Sequence, residues 1–227
     1  MAHDPNADGG CRLYLITPPR IDDADAFAEA LQSALDAGDV ACLQLRMKTE
    51  ADDIDVEATR RVFDRVAALS RARDVAVLIN DSPELARELR ADGVHIGQSD
   101  FDAAKARRLL GDDAILGVTC HASKDLAFEA GEAGADYVAF GAFFPTATKE
   151  PIARAEPELL AWWTHATTLP SVAIGGITPE NCGPLVAAGA DFLAVSAAVW
   201  ARPGGPAKAV SDFLAAMATA EPSPSGD

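Results

Sequence analysis

The chain has 227 residues, 49% of them hydrophobic, and a formal net charge of −16 at pH 7. Its length and apolar content allow a sizeable core, and an α/β barrel of this length is routinely one domain. The acidic balance opposes non-specific attraction to nucleic acid or an anionic membrane, so lysines and arginines that gather in one place are a local exception.

Residues 1–10 are polar and acidic rather than a signal peptide, and no apolar run approaches the ~20 residues of a membrane span, so the expected location is cytoplasmic. The ends, 1–10 and 220–227, are expected as flexible tails around one domain at 11–219. The first strand is expected over Arg12-Leu13-Tyr14-Leu15-Ile16-Thr17 and stops at Pro18-Pro19. Over 22–35, Phe27, Ala30, Leu31, Ala34 and Leu35 recur with helical spacing. Strands follow at 40–46, 75–79 and 93–96, with helices at 55–73, 83–91 and 101–110. Further strands fall at 115–119, 137–140, 172–174 and 192–195, with helices at 123–132, 157–166, 179–188 and 206–218. Trp162 and Trp163 read as core first, with an interface as the alternative, and the reduced thiols of Cys11, Cys42, Cys120 and Cys182, which contain no CxxC pair, read as core.

A Gly lies between a helical stretch and the apolar residues of strands two, four, six and eight, at Gly38, Gly93, Gly134 and Gly189. Each is expected to supply the left-handed residue that ends a helix. Repeated strand–helix order leaves an open doubly wound sheet or a closed barrel. Eight units in this length, without GxGxxG after the first strand, favour a single-domain (β/α)₈ TIM barrel.

In such a barrel the loops leaving the strand C-termini share one face. Strand two ends Gln44-Leu45-Arg46-Met47-Lys48, and alternation sends Gln44, Arg46 and Lys48 one way, Leu45 and Met47 the other. Strand three ends in Asn80-Asp81, and strand four reaches Gly97-Gln98-Ser99-Asp100. The two carboxylates suit Mg²⁺ when phosphates complete its shell, or each caps the helix that follows. Strand five ends at Thr119; His121 beyond it reads as structural rather than as a base. Strand six runs into Gly141-Ala142-Phe143-Phe144-Pro145-Thr146-Ala147-Thr148-Lys149. There two hydroxyls and an ammonium suit phosphate, or the segment is an ordinary connection whose Thr-x-Thr begins a turn. Gly175-Gly176 after strand seven and Val195-Ser196 at the end of strand eight lie where phosphate-binding barrels hold a phosphate. Three cations plus a metal exceed the need of one monophosphate. The expectation is a pyrophosphate at Arg46, Lys48, Lys149 and Mg²⁺, and a separate monophosphate on the glycine side.

With these motifs, the chain resembles the thiamine-phosphate synthase family over residues 13–216. The resemblance is carried, in family order, by Gln44-x-Arg46-x-Lys48, Asn80-Asp81, His95-Ile96-Gly97-Gln98-x-Asp100, Gly117-Val118-Thr119-x-His121, Pro145-Thr146-x-Thr148-Lys149, Ile174-Gly175-Gly176-Ile177 and Val195-Ser196. It implies a transferase that joins a hydroxymethylpyrimidine diphosphate to a thiazole phosphate and releases pyrophosphate, by ionisation of the pyrimidine methylene–diphosphate bond. Gln44, Arg46, Lys48, Asn80, Thr119 and Lys149 would then bind the pyrimidine diphosphate, with Arg46, Lys48 and Lys149 stabilising the leaving group. Asp81 and Asp100 would hold Mg²⁺, and Thr146, Thr148, Gly176, Val195 and Ser196 the thiazole phosphate. The chain departs from the family pattern at Ser82, where a second Asp is frequent, at Ser99 for Glu, and at Thr119 for Ser. A related thiazole tautomerase, which processes no diphosphate, and a non-catalytic binding paralogue are the alternatives. A homo-oligomer is compatible with the sequence.

Overall fold

The computed structural model describes residues 10–145 and 154–220. Its strands are β1 (Arg12–Ile16), β2 (Val40–Leu45), β3 (Ala76–Asn80), β4 (Gly93–Ile96), β5 (Ile115–His121), β6 (Tyr137–Gly141), β7 (Ser171–Ile174) and β8 (Phe192–Val195). They pair in parallel in chain order, and β8 returns to β1, closing the barrel. Around them lie α1 (Ala24–Asp36), α2 (Val56–Arg71), α3 (Pro83–Leu89), α4 (Ala103–Leu110), α5 (Lys124–Glu132) and α6 (Pro157–Ala166). The order ends with α7 (Gly183–Ala187), α8 (Ala197–Trp200) and α9 (Gly205–Ala218).

All eight expected strand–helix units are present. The extra helix, α8, has four residues, too few to show a periodicity in sequence. Helix α7 starts at Gly183 rather than at the expected Pro179. The side chain of Asn181 is the reason: its Oδ1 accepts the Thr178 N–H at 2.8 Å and its Nδ2 donates to the Gly176 carbonyl at 3.0 Å, which holds 178–181 as a turn. Asp23, Asp55, Ser82, Asp102 and Ser123 each accept a first-turn N–H and so start α1 to α5. Such a cap contributes about 1 kcal/mol.

Strand residues alternate between two cores. Leu13, Leu15, Leu43, Leu45, Val77 and Ile79 face the helices and join the large outer core. Tyr14, Ile16, Cys42, Leu78, Tyr137, Ala139, Val172 and Ala194 form a separate cluster inside the barrel. Cys42, Cys120 and Cys182 are buried and Cys11 half-buried, all four unbridged. Trp163 is 1% exposed and donates its Nε1–H to the Leu169 carbonyl. Trp162 corrects the expectation of a core residue: it is 39% exposed, with the Lys124 ammonium 3.7 Å from its ring centroid.

The glycine echo is also corrected. Only Gly134 and Gly189 of the four have the left-handed φ. Gly38 lies where a Cβ would run into the side chain of Leu214 on α9, and Gly93 where it would strike the Ile115 backbone of the neighbouring strand. What repeats is the aspartate. Asp92, Asp136 and Asp191 each accept the N–H of Val77, Leu116 and Ser171 at 2.7–2.8 Å while donating their own N–H to the same residue's carbonyl. Asp39, before β2, instead pairs with the Arg12 guanidinium at the start of β1. These carboxylates close the barrel end away from the site, where strands begin and backbone donors would lack partners. Of the expected tails at 1–10 and 220–227, residues 1–9 and 221–227 lie outside the described residues. Among the described residues no helix is long and apolar enough to cross a membrane.

Candidate active site

At the C-terminal mouth, β2 delivers the first group of polar residues. Gln44 lies on the inward side of β2 with Cys42 and is 2% exposed, and its Nε2 has no hydrogen-bond partner. A buried amide left with free donors costs about 1–3 kcal/mol, which suits a group kept for a ligand. Leu45 and Met47 pack outward into the helical core, as alternation requires. Arg46 and Lys48 follow, with side chains 16% and 11% exposed. The Lys48 ammonium donates to Asp81 Oδ2 at 2.9 Å and to the Asp52 carbonyl at 3.0 Å, and the Arg46 guanidinium lies 3.5 Å from Asp52 Oδ1. The loop that carries Asp52 folds back on itself, bridging Lys48 and Ile54 in antiparallel fashion.

From β3, Asn80 is buried and Asp81 takes a left-handed φ of 64°. The helix-capping alternative fails for both carboxylates, because the caps are Ser82 for α3 and Asp102 for α4. Burial raises the Asp81 carboxyl pKa, as does the neighbouring Asp100 carboxylate, while the Lys48 hydrogen bond opposes them. Asp100 is exposed, and its Oδ2 accepts the Gly97 N–H at 2.8 Å. No cluster of three or more metal-ligating side chains occurs among the described residues. Two neighbouring carboxylates fit a hard divalent cation whose remaining ligands are phosphate oxygens and water.

From β5, Thr119 accepts the Gln98 side-chain N–H on its carbonyl, and its hydroxyl lies 2.8 Å from His95 Nε2. His95 Nδ1 is 2.8 Å from the Tyr137 hydroxyl, which is 2.9 Å from that of Tyr14. This buried file was not read from the sequence. A signal existed: the chain has only two tyrosines, both inside strands, and a buried phenol needs a partner. Burial holds the His95 pKa down at about 4, against a smaller upward pull from Asp100, so the ring is neutral at pH 7.

Across the mouth, Gly175 and Gly176 both have positive φ, 102° and 65°. A Cβ on Gly176 would strike Phe144 and the Pro145 carbonyl, so the absence of a side chain is required there. Ser196 precedes α8 and donates to the Thr17 carbonyl at 3.3 Å. Thr17 Oγ1 in turn accepts the Arg46 N–H at 2.9 Å, which ties the two sides of the mouth together. The Val195 side chain belongs to the outer core, so only its backbone can face a ligand. A glycine turn beside a short extra helix after β8 is the barrel arrangement that takes a phosphate. Thr146, Thr148 and Lys149 lie outside the described residues. A surface cavity of about 750 Å³ beside Phe128, Trp163 and His165 lies between α5 and α6, is lined by Thr167, Thr168 and Leu169 ahead of β7, includes no residue of the mouth, and is not this site.

The Thiamine monophosphate synthase family model matches residues 13–199. A thiamine-phosphate synthase of Rhodospirillum centenum is 58% identical over 207 residues, covering 91% of this chain and 98% of the relative. One of Hyphomonas neptunium is 57% identical over 204 residues, covering 90% and 92%. The solved structure of a thiamine phosphate pyrophosphorylase from Pyrococcus furiosus superposes with a TM-score of 0.76 at 27% identity, covering 91% of this chain and 95% of that one. With the barrel and its two-sided mouth already in place, the chain belongs to the thiamine monophosphate synthase family.

Proposed function

We propose that this chain is a thiamine-phosphate synthase. It joins 4-amino-2-methyl-5-(diphosphooxymethyl)pyrimidine to a thiazole phosphate and releases pyrophosphate. The observation that carries the reading is the grouping of Arg46, Lys48, Asp81 and Asp100 at the mouth, next to a buried amide with unused donors. An isomerase acting on a thiazole phosphate alone has no use for such a group. The relatives carry the synthase name, and the tautomerase and non-catalytic readings draw no support from them.

Gln44, Asn80 and Thr119 would hold the pyrimidine, and Arg46, Lys48 and Lys149 its diphosphate. Thr146, Thr148, Gly176, Ser196 and the Val195 backbone would hold the thiazole phosphate opposite. As the methylene carbon–oxygen bond breaks, the electron pair leaves with the diphosphate, and the thiazole nitrogen supplies the pair for the new bond. Fixed cations aimed at the departing oxygens lower that barrel-mouth barrier without moving a proton. Asp81 and Asp100 would hold Mg²⁺, which when bound adds positive charge against the leaving group. Lys48 must exchange Asp81 for phosphate oxygen as substrate enters. Neutral His95 adds no charge to the mouth. The small-molecule substrates and the lack of a crossing helix among the described residues fit a cytoplasmic enzyme.

The test is formation of thiamine phosphate, read as thiochrome fluorescence, from both substrates with and without Mg²⁺. Mg²⁺-dependent product is expected, and Lys48→Ala or Lys149→Ala should lower turnover at least about tenfold, roughly 1.4 kcal/mol of barrier. No product from folded protein would sink the proposal.

A further inference from the structure

The interior file of Tyr14, Tyr137, His95 and Thr119 spans the barrel from its inner core to its mouth through three contacts of 2.9, 2.8 and 2.8 Å. Tyr14 is 3% exposed, Tyr137 7% and His95 6%, so no solvent is at hand to satisfy a misplaced hydrogen. Packing fixes the file as well. The Tyr137 ring fills the space where any Cβ on Gly117 would stand, and it stacks on His95 with centroids 5.6 Å apart. Beyond Tyr14 the next polar neighbour is the buried Cys42 thiol.

The hydrogens in this file can run two ways. Running inward, Thr119 donates to His95 Nε2, His95 Nδ1–H to Tyr137, and Tyr137 to Tyr14, whose own hydrogen is left to a thiol, a weak acceptor. Running outward, Cys42 S–H donates to Tyr14, Tyr14 to Tyr137, Tyr137 to His95 Nδ1, and His95 Nε2–H to Thr119. Every buried O–H and N–H then meets oxygen or nitrogen. Reversing any single link strands a buried hydrogen or a ring lone pair, which is costly at this burial.

We propose that Tyr14, Tyr137 and His95 are positioning residues that hold His95 as the Nε2–H tautomer and so make Thr119 a hydrogen-bond donor into the mouth. Thr119 then recognises an acceptor on its ligand, a ring nitrogen or a phosphate oxygen, and not an amino group. For the pyrimidine diphosphate this rests on the synthase reading above.

The experiment is NMR of the whole protein labelled with ¹³C,¹⁵N-histidine at pH 7, the His95 signals being those lost in His95→Gln. Ring ¹⁵N and ¹³Cδ2 shifts of the Nε2–H tautomer are expected, and the Nδ1–H tautomer overturns the proposal. In Tyr137→Phe the His95 tautomer should become mixed, and the KM for the pyrimidine diphosphate should rise about fivefold, with that for the thiazole phosphate within about twofold. Tyr14→Phe removes the other acceptor open to the Tyr137 hydrogen, so the His95 spectrum should stay that of the Nε2–H tautomer; a spectrum that changes in this variant overturns the proposal and decides the matter if Tyr137→Phe does not fold. Thr119→Ser should keep the pyrimidine KM and Thr119→Val should raise it. An unchanged pyrimidine KM in folded Tyr137→Phe overturns the proposal. A protein that makes no thiamine phosphate would remove the synthase reading and leave the tautomer assignment standing on its NMR signature.

Discussion

Gln44 shows what a single residue costs and supplies at this mouth. Its Nε2 is buried without a partner, so an apolar side chain of similar volume removes an unmet donor. Gln44→Met should therefore unfold in urea at a midpoint equal to or above that of the parent, while its KM for the pyrimidine diphosphate rises about tenfold. A clear loss of stability would mean that the amide is already satisfied in the protein. His95 gives a second test through pH. Burial depresses its pKa to about 4 from 6.5, so the unfolded chain binds the proton first as pH falls. Its contribution is fully present above pH 6.5 and is lost as pH drops through 6.5 towards 4. The span corresponds to about 3 kcal/mol at most. Subtracting the stability of His95→Gln from that of the parent across pH 4–7.5 should leave a difference that grows through this window, and a flat difference would contradict the burial of a neutral ring.

At the scale of elements, the repeated aspartates and the glycine turn do different work. Asp136 accepts the Leu116 N–H and also receives the Arg107 guanidinium, far from the mouth. Asp136→Ala leaves a buried strand donor unmet and should cost about 1–3 kcal/mol, read from urea unfolding, with both KM values unchanged. Gly176→Ala places a Cβ against Phe144 and Pro145 at a φ of 65°. It should cost about 1–2 kcal/mol and raise the thiazole phosphate KM selectively. Equal effects on both substrates would show that the two sides of the mouth are not separate.

The molecule as a whole is held by closure. Pairing of β1 with β8 completes the sheet, and α9 covers α1 with Ala209, Val210 and Phe213 fully buried. Trp200 on α8 adds a lock by donating its Nε1–H to the Ile16 carbonyl at 2.7 Å and packing 5.0 Å from Phe27. A chain ended after Ala201 would leave the α1 face bare, including Leu31 and Ala34, both fully buried in the intact protein. It should lose the single cooperative transition in near-ultraviolet circular dichroism, and a truncated chain that still unfolds in one sharp step would show that the barrel closes without α9.

By itself the sequence determined the eight strand–helix units, the inward set of Gln44, Arg46 and Lys48, and the glycines that face them. These follow from periodicity and alternation, which act over a few residues and leave their mark locally. It could not decide whether Asp81 and Asp100 cap helices, because capping depends on which of several adjacent Asp and Ser side chains reaches the N–H groups, and Ser82 and Asp102 do so. Nor could it join Tyr14 to Tyr137 and His95, which lie 123 and 81 positions away from Tyr14 in the chain. Only closure of the barrel brings three strands' inward side chains to one axis, and there burial obliges each polar hydrogen to find a partner.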